Sequence, residues 1–163
     1  MTTAMSFLRA SLVVLAAVLV GCPGDGGGQQ GPQGPTGPGN GPLSALESSP
    51  FMNEAWITDD GQQIPVLFYA RENVRMSAFC RNPAGQINCD AMRYLRNGIP
   101  IEISHRSIDG RTSAGVKVCM RMNQPVVRVH NQMGSEDSMC RFPDGSLVST
   151  NALEHYGMRV TEP

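Results

Sequence analysis

Five cysteines, three histidines, and a scatter of methionines and carboxylates carry whatever chemistry this 163-residue chain can do. The thiols of Cys22, Cys80, Cys89, Cys119 and Cys140 could ligate zinc, attack a substrate or pair as disulfides. No Cys-x2-4-Cys spacing of the kind a structural zinc site uses occurs, so zinc ranks below pairing. His105, His130 and His155 are the only imidazoles. A histidine works as an acid or base only with a partner in hydrogen-bond reach. His105 has Ser104, Ser107 and Asp109 nearby in sequence, but no Gly-x-Ser-x-Gly elbow accompanies them. Nothing in the sequence demands a three-histidine metal site either. Eight methionines follow residue 21, among them Met120 and Met122. Thioethers can hold Cu(I), yet filling irregular gaps in a core is their commoner use. Asp59-Asp60 and Glu136-Asp137 lie beside turn signals and read as solvated turn residues, too few and too irregular for calcium. Trp56, the sole tryptophan, is expected to pack in the core or at an edge. No catalytic residue, metal site or cofactor is assigned, and the chain reads as a non-enzyme.

Cys22 belongs to a different pattern. Arg9 supplies a positive n-region and Leu12 to Val20 an apolar run of nine residues. Such a run spans about 14 Å as a helix, roughly half the hydrocarbon thickness, which argues for a cleaved leader over 1–21 and against a membrane span. Leu19-Val20-Gly21-Cys22 then resembles the lipobox of bacterial lipoproteins, whose cysteine is alkylated with diacylglycerol and becomes the mature N-terminus. The competing reading is an ordinary signal peptide with a chance cysteine; Leu19 and Gly21 favour the lipoprotein. Several acyl chains on one residue anchor stably, whereas one does not. The resemblance implies a lipid-anchored protein of the bacterial cell envelope, held to the membrane through Cys22. Pro23, in place of an aspartate after the cysteine, leans the sorting toward the outer membrane.

The lipidated Cys22 heads a spacer over 22–42. From Pro23 to Pro42 there are nine glycines and five prolines, a composition that cannot offset its ordering entropy and predicts disorder. As a coil it would reach roughly 25 Å. Gly28, Gly31, Gly34 and Gly37 fall in collagen register, but Asn40 breaks the period and four triplets cannot hold a triple helix. Without the leader the chain has 12 basic and 14 acidic residues, so no basic excess exists to bind nucleic acid.

Residues 43–163 are enough for one ordinary domain or two small ones. Four cysteines beyond an export signal imply two disulfides with three possible pairings, of which Cys80–Cys89 with Cys119–Cys140 is preferred because each is local. Pro65-Val66-Leu67 returns 60 residues on as Pro125-Val126-Val127, and Cys80-Arg81-Asn82-Pro83-Ala84-Gly85 as Cys140-Arg141-Phe142-Pro143-Asp144-Gly145. Each Pro-x-Gly fits a type I turn. Helical signals follow both: Asn88 or Asp90 as cap with Ala91, Met92 and Leu95 on one face, then Ser149 to Asn151 as caps with Ala152, Leu153 and Tyr156. Gly98 and Gly157 end them and lead into β-prone runs at 99–103 and 158–160. Alternating hairpins precede both, around Arg71-Glu72-Asn73 and Asn131 to Gly134. The expectation is an α+β, disulfide-stapled domain built as two copies of a hairpin–turn–short helix–strand unit, over 50–105 and 110–163, with chance similarity as the competing reading.

Residues 113–157 resemble a small cysteine-rich domain of bacterial envelope lipoproteins often labelled hemolysin, a label its members seldom support. Its pattern runs Ala-x-x-x-Cys, a hairpin, Cys-x-x-Pro-Asp-Gly-Ser-x-Cys, a tryptophan-bearing helix and Gly-x-Cys. Ala114, five residues before Cys119, and Cys140 to Ser146 carry the likeness. Val148 replaces the third cysteine, Asn151 the tryptophan, and no cysteine follows Gly157. Joint loss of the last two cysteines fits their pairing with each other, which leaves Cys119–Cys140. The resemblance implies an envelope lipoprotein and transfers no catalytic residue.

The leading expectation is therefore a lipid-anchored, non-enzymatic envelope protein whose module binds a ligand or envelope protein, or serves structurally. An inhibitor-like module acting on a secreted hydrolase through Arg81 to Gln86 or Arg141 to Ser146 is the alternative. A small hydrolase or metal-binding protein ranks below both.

Overall fold

The computed structural model describes residues 42–108 and 110–162. The expected leader, Cys22, the expected spacer to residue 41 and Asp109 lie outside them. Eight strands and three helices follow in the order β1 (Met52–Thr58), β2 (Gln63–Tyr69), β3 (Val74–Ser77), α1 (Asp90–Asn97), β4 (Ile101–Ser104), α2 (Ala114–Arg121), β5 (Val126–His130), β6 (Glu136–Arg141), β7 (Leu147–Ser149), α3 (Thr150–Tyr156) and β8 (Met158–Thr161). Short 3-10 turns occupy Ala78–Cys80 and His105–Ser107.

Six strands close into a barrel in the order β1-β2-β3-β7-β6-β5, every neighbour antiparallel. The barrel was not foreseen. Its seams join the halves of the chain: Met76 of β3 faces Val148 of β7, and Ile57 of β1 faces His130 of β5. The two hairpins are therefore parts of one sheet, which leaves each half without a closed sheet of its own. Strands β4 and β8 pair with each other in parallel, Ile101 opposite Met158.

Alternation along the strands divides the apolar residues into two cores. Trp56, Ile64, Val66, Val129, Met139 and Leu147 point into the barrel. Leu67, Tyr69, Val74, Met76, Cys140 and Val148 point outward and are covered by Ala91, Met92 and Leu95 of α1, Val118 of α2, and Ala152 and Leu153 of α3. The helical faces expected in α1 and α3 are those buried, and Gly98 and Gly157 stand at their C-caps. Helix α2 is an addition to the expected unit. Ser113 caps it by accepting from the Val116 N–H, and it lies where β1 lies 60 residues earlier, so the two halves differ most at their starts.

Four turns share one hydrogen-bond pattern. Thr58–Gln62, Asn82–Gln86, Asn131–Ser135 and Phe142–Ser146 each return the first residue's N–H to the fifth carbonyl and the fourth N–H to the first carbonyl. The fourth residue is always glycine, at φ between 81° and 84° in Gly61, Gly85, Gly134 and Gly145. This left-handed position, a type I turn continued into a bulge, is where an L side chain is strained. Equal lengths of chain then give different registers. Val66 faces Ser77, whereas Val126, its counterpart, faces Cys140, so Cys80 falls three residues past its hairpin and into the 3-10 turn.

Candidate binding mouth of the barrel

The four cysteines form Cys80–Cys89 and Cys119–Cys140, with Cα separations of 5.2 and 5.7 Å. The first bond ties the end of a hairpin to the start of α1, and the second ties α2 to β6. The three histidines lie on separate elements: His105 in a 3-10 turn, His130 at the end of β5 and His155 in α3. Among the described residues no group of three or more His, Cys, Asp or Glu side chains could hold a metal. Met76, Met92, Met139 and Met158 are buried core residues, while Met52, Met120 and Met133 are exposed. Asp59 and Asp60 are exposed turn residues as expected. Asp137 is not. It pairs with the buried Val129 and so points into the barrel, away from the turn it was assigned to.

One end of the barrel is filled by charge. Arg75 lies 2.8 Å from Glu54 and 3.6 Å from Asp137, its guanidinium 3.9 Å from the Phe68 ring centroid and 5.4 Å from that of Trp56. The Trp56 Nε1–H donates to the same Glu54 oxygen. Burial pushes the Asp137 carboxyl above its ordinary range, since the Ser138 N–H and the more distant Arg75 only partly oppose it and Glu54 repels it. Two carboxylates thus share one cation whose face is already stacked, and the end is closed to a further anion.

The other end is open. Ile64, Pro65, Ser77, Phe79, Arg141, Gly145 and Leu147, with Gln62 and Gln63, line a cavity of about 310 Å³. Register places Ile64, Ser77, Arg141 and Leu147 on the interior face: Ser77 faces Val66, Arg141 faces Leu147 across β6 and β7, and Ile64, Val66 and Leu147 are members of the interior core. Phe79 is 61% exposed, although aromatic. Ser77 Oγ accepts the Leu147 N–H at 2.9 Å, which leaves its own proton to donate. Among the described residues no hydrogen bond or ion pair holds the Arg141 guanidinium, although it is partly buried. Its backbone N–H alone is fixed, to Pro125. A larger groove of about 540 Å³ beside β5 and β6 is less suited to capture, because its cation Arg128 is solvated and pairs with Asp59 at 3.3 Å.

The two similar turns differ in what they present. Arg81, the counterpart of Arg141, donates to the Tyr69 hydroxyl and the Glu47 carbonyl and lies over Phe51. In the second turn Asp144 and Ser146 accept the N–H groups of Asp90 and Ala91 at the start of α1. The sequence pointed to Arg141 as a turn residue; the alternation of Met139 and Arg141 along β6 is the signal for its place in the barrel mouth. Comparison with protein-family models, with curated proteins and with solved structures finds no match. The likenesses to a lipobox and to the small cysteine-rich domain rest on the residues alone.

Proposed function

We propose that this protein is a lipid-anchored component of the bacterial envelope whose folded part is a non-enzymatic binding module. The observation that carries the reading is the division of its cysteines. Four of the five are consumed in two disulfides, and the fifth, Cys22, follows Leu19-Val20-Gly21 at the end of an apolar leader. Disulfides persist in exported proteins, so the paired cysteines and the leader support one another. The open barrel mouth supplies a concave, partly apolar surface of the kind that binds small groups. The likeness of residues 113–157 to envelope lipoprotein domains agrees with this placement, and an ancestral duplication would account for the recurring turn, helix and strand. The inhibitor-like alternative is less well supported, because Arg81, Asp144 and Ser146 spend their polar groups on internal bonds.

Metabolic labelling with a palmitate analogue in a bacterial host tests the anchor. The native chain is expected to take up label and sediment with membranes, and Cys22→Ser to do neither. Labelling that survives in Cys22→Ser overturns the anchor. Capture from envelope extract by the intact chain, retained when His105, His130 or His155 is changed singly to Ala, is the outcome expected of a non-enzymatic binder.

A further inference from the structure

Two arginines enter the barrel, one near each end, and only Arg75 is answered at close range. Arg141 shares its cavity with Ile64, Leu147, Pro65 and the exposed ring of Phe79. Arg141 acts on the charge of Asp60, an exposed residue whose carboxyl is held low first by the Thr58 hydroxyl and in small part by Arg141. A guanidinium presents a planar fork of donors that fits a carboxylate bidentately, and partial burial strengthens such bonds. A dianionic phosphate would call for a second cation, where the cavity instead has Asp60 nearby. The cavity's volume is at the small end of the ~300–1,000 Å³ range of ligand sites. Ile64, Pro65, Phe79 and Leu147 supply apolar wall beside the cation, which suits a ligand with an apolar body next to its charge.

We propose that the open mouth of the barrel binds an organic monocarboxylate bearing an apolar group, with Arg141 holding the carboxylate and Phe79 and Leu147 packing on the apolar part. The Ser77 hydroxyl, at the floor, donates to the ligand. Either the C-terminus of a polypeptide or a free small acid has this chemistry. The assignment rests on the reading of the domain as a binding module and names what it takes.

Calorimetric titration of the full chain in detergent tests it, with 3-phenylpropanoate and acetyl-Ala-Ala-Phe as probes and their amides as controls. The free acids are expected to bind, and the amides at least about tenfold more weakly, as a charge-assisted bond of this kind is worth. Arg141→Gln is expected to lower affinity by about tenfold or more and Phe79→Ala by several-fold, with Arg128→Gln unchanged. Binding of the peptide alone assigns a polypeptide C-terminus; binding of 3-phenylpropanoate alone assigns a small acid. Equal binding of acids and amides, no binding of either acid, or undiminished binding by Arg141→Gln overturns the proposal. Should Arg141→Gln fail to fold, the Nε–H resonance of Arg141 in the native chain decides: it must move on titration, and a stationary resonance overturns the site. Envelope capture that persists while both acids fail removes this ligand class and leaves the binding module standing.

Discussion

The Asp144 carboxylate accepts a 2.7 Å hydrogen bond from the backbone N–H of Asp90, 54 residues earlier in the chain. That N–H opens α1, whose own N-cap residue, Cys89, is committed to a disulfide and makes no side-chain cap bond. Ser146 serves the next N–H, that of Ala91, at 3.1 Å. Neither Asn88 nor Asp90, the expected caps, does this. A turn in the second half of the chain caps a helix in the first, and so couples the two halves beyond the barrel seams.

Asp144→Ala is therefore expected to destabilise the domain by about 1 kcal/mol, the ordinary worth of a helix cap. Burial alone would push the Asp144 carboxyl up, but bonds from Ser146 and from the Asp90 N–H, with the charge of Arg93, outweigh it and hold it low. A depressed carboxyl lends stability above its unfolded pKa of about 3.9 and loses it as pH falls through the folded value. The gap between the urea midpoints of the native chain and Asp144→Asn should be full above about pH 5 and narrow as pH falls below about 3.9. A constant gap across that range would show that the charge of Asp144 does not contribute.

Gly115 fixes how closely α2 can approach α3. A Cβ built there would stand 1.7 Å from the Thr150 carbonyl oxygen and 2.5 Å from its carbon, both backbone atoms that cannot swing aside. Gly115→Ala should cost about 3 kcal/mol, at the upper end for overpacking. Gly61 is the control, since at φ +84° its Cβ would meet nothing within 4 Å. Gly61→Ala should cost only backbone strain of about 1–2 kcal/mol. Equal losses in the two variants, read from chemical denaturation followed by circular dichroism, would show that the helices separate readily.

What could be read from the chain was local. Cys80 and Cys89 lie nine residues apart, the helical faces recur within eight, and the Pro-x-Gly turns need only their own residues. The barrel depends on contacts such as Met76 with Val148, which no periodicity announces. Strand β1 turns Glu54, Trp56 and Thr58 to one face, and with two of the three polar no apolar alternation marks it in the sequence. Helix α2 buries Ala114, Gly115, Val118 and Cys119, a stripe of small residues too weakly apolar to announce a helix. Asp137 was assigned to solvent from its neighbour Glu136; its inward side follows only from pairing with Val129. Arg141 fell within a turn motif, and only closure of the sheet turns that position into the wall of a cavity.

The closed end of the barrel yields the last prediction. Arg75 sits on Glu54 at 2.8 Å and is 3.6 Å from Asp137, so its charge serves Glu54 first. Burial is the largest influence on Asp137 and raises its carboxyl despite the Ser138 N–H at 2.7 Å. For an acid with a raised folded pKa, the stabilising contribution is complete below the unfolded value and is lost as pH climbs through the folded one. Asp137→Asn keeps the shape and removes the charge, so its stability relative to the native chain should rise between about pH 4 and pH 7. Arg75→Met behaves oppositely: it strands two carboxylates on the barrel interior, and should cost about 3 kcal/mol at neutral pH and less in acid, where Asp137 protonates. Urea unfolding of the three proteins across that range separates the cases. If the native chain instead gains on Asp137→Asn as pH rises, the Arg75–Asp137 attraction outweighs the cost of burying the second carboxylate, and the cluster is a stabilising triad in place of one pair with a tolerated extra charge.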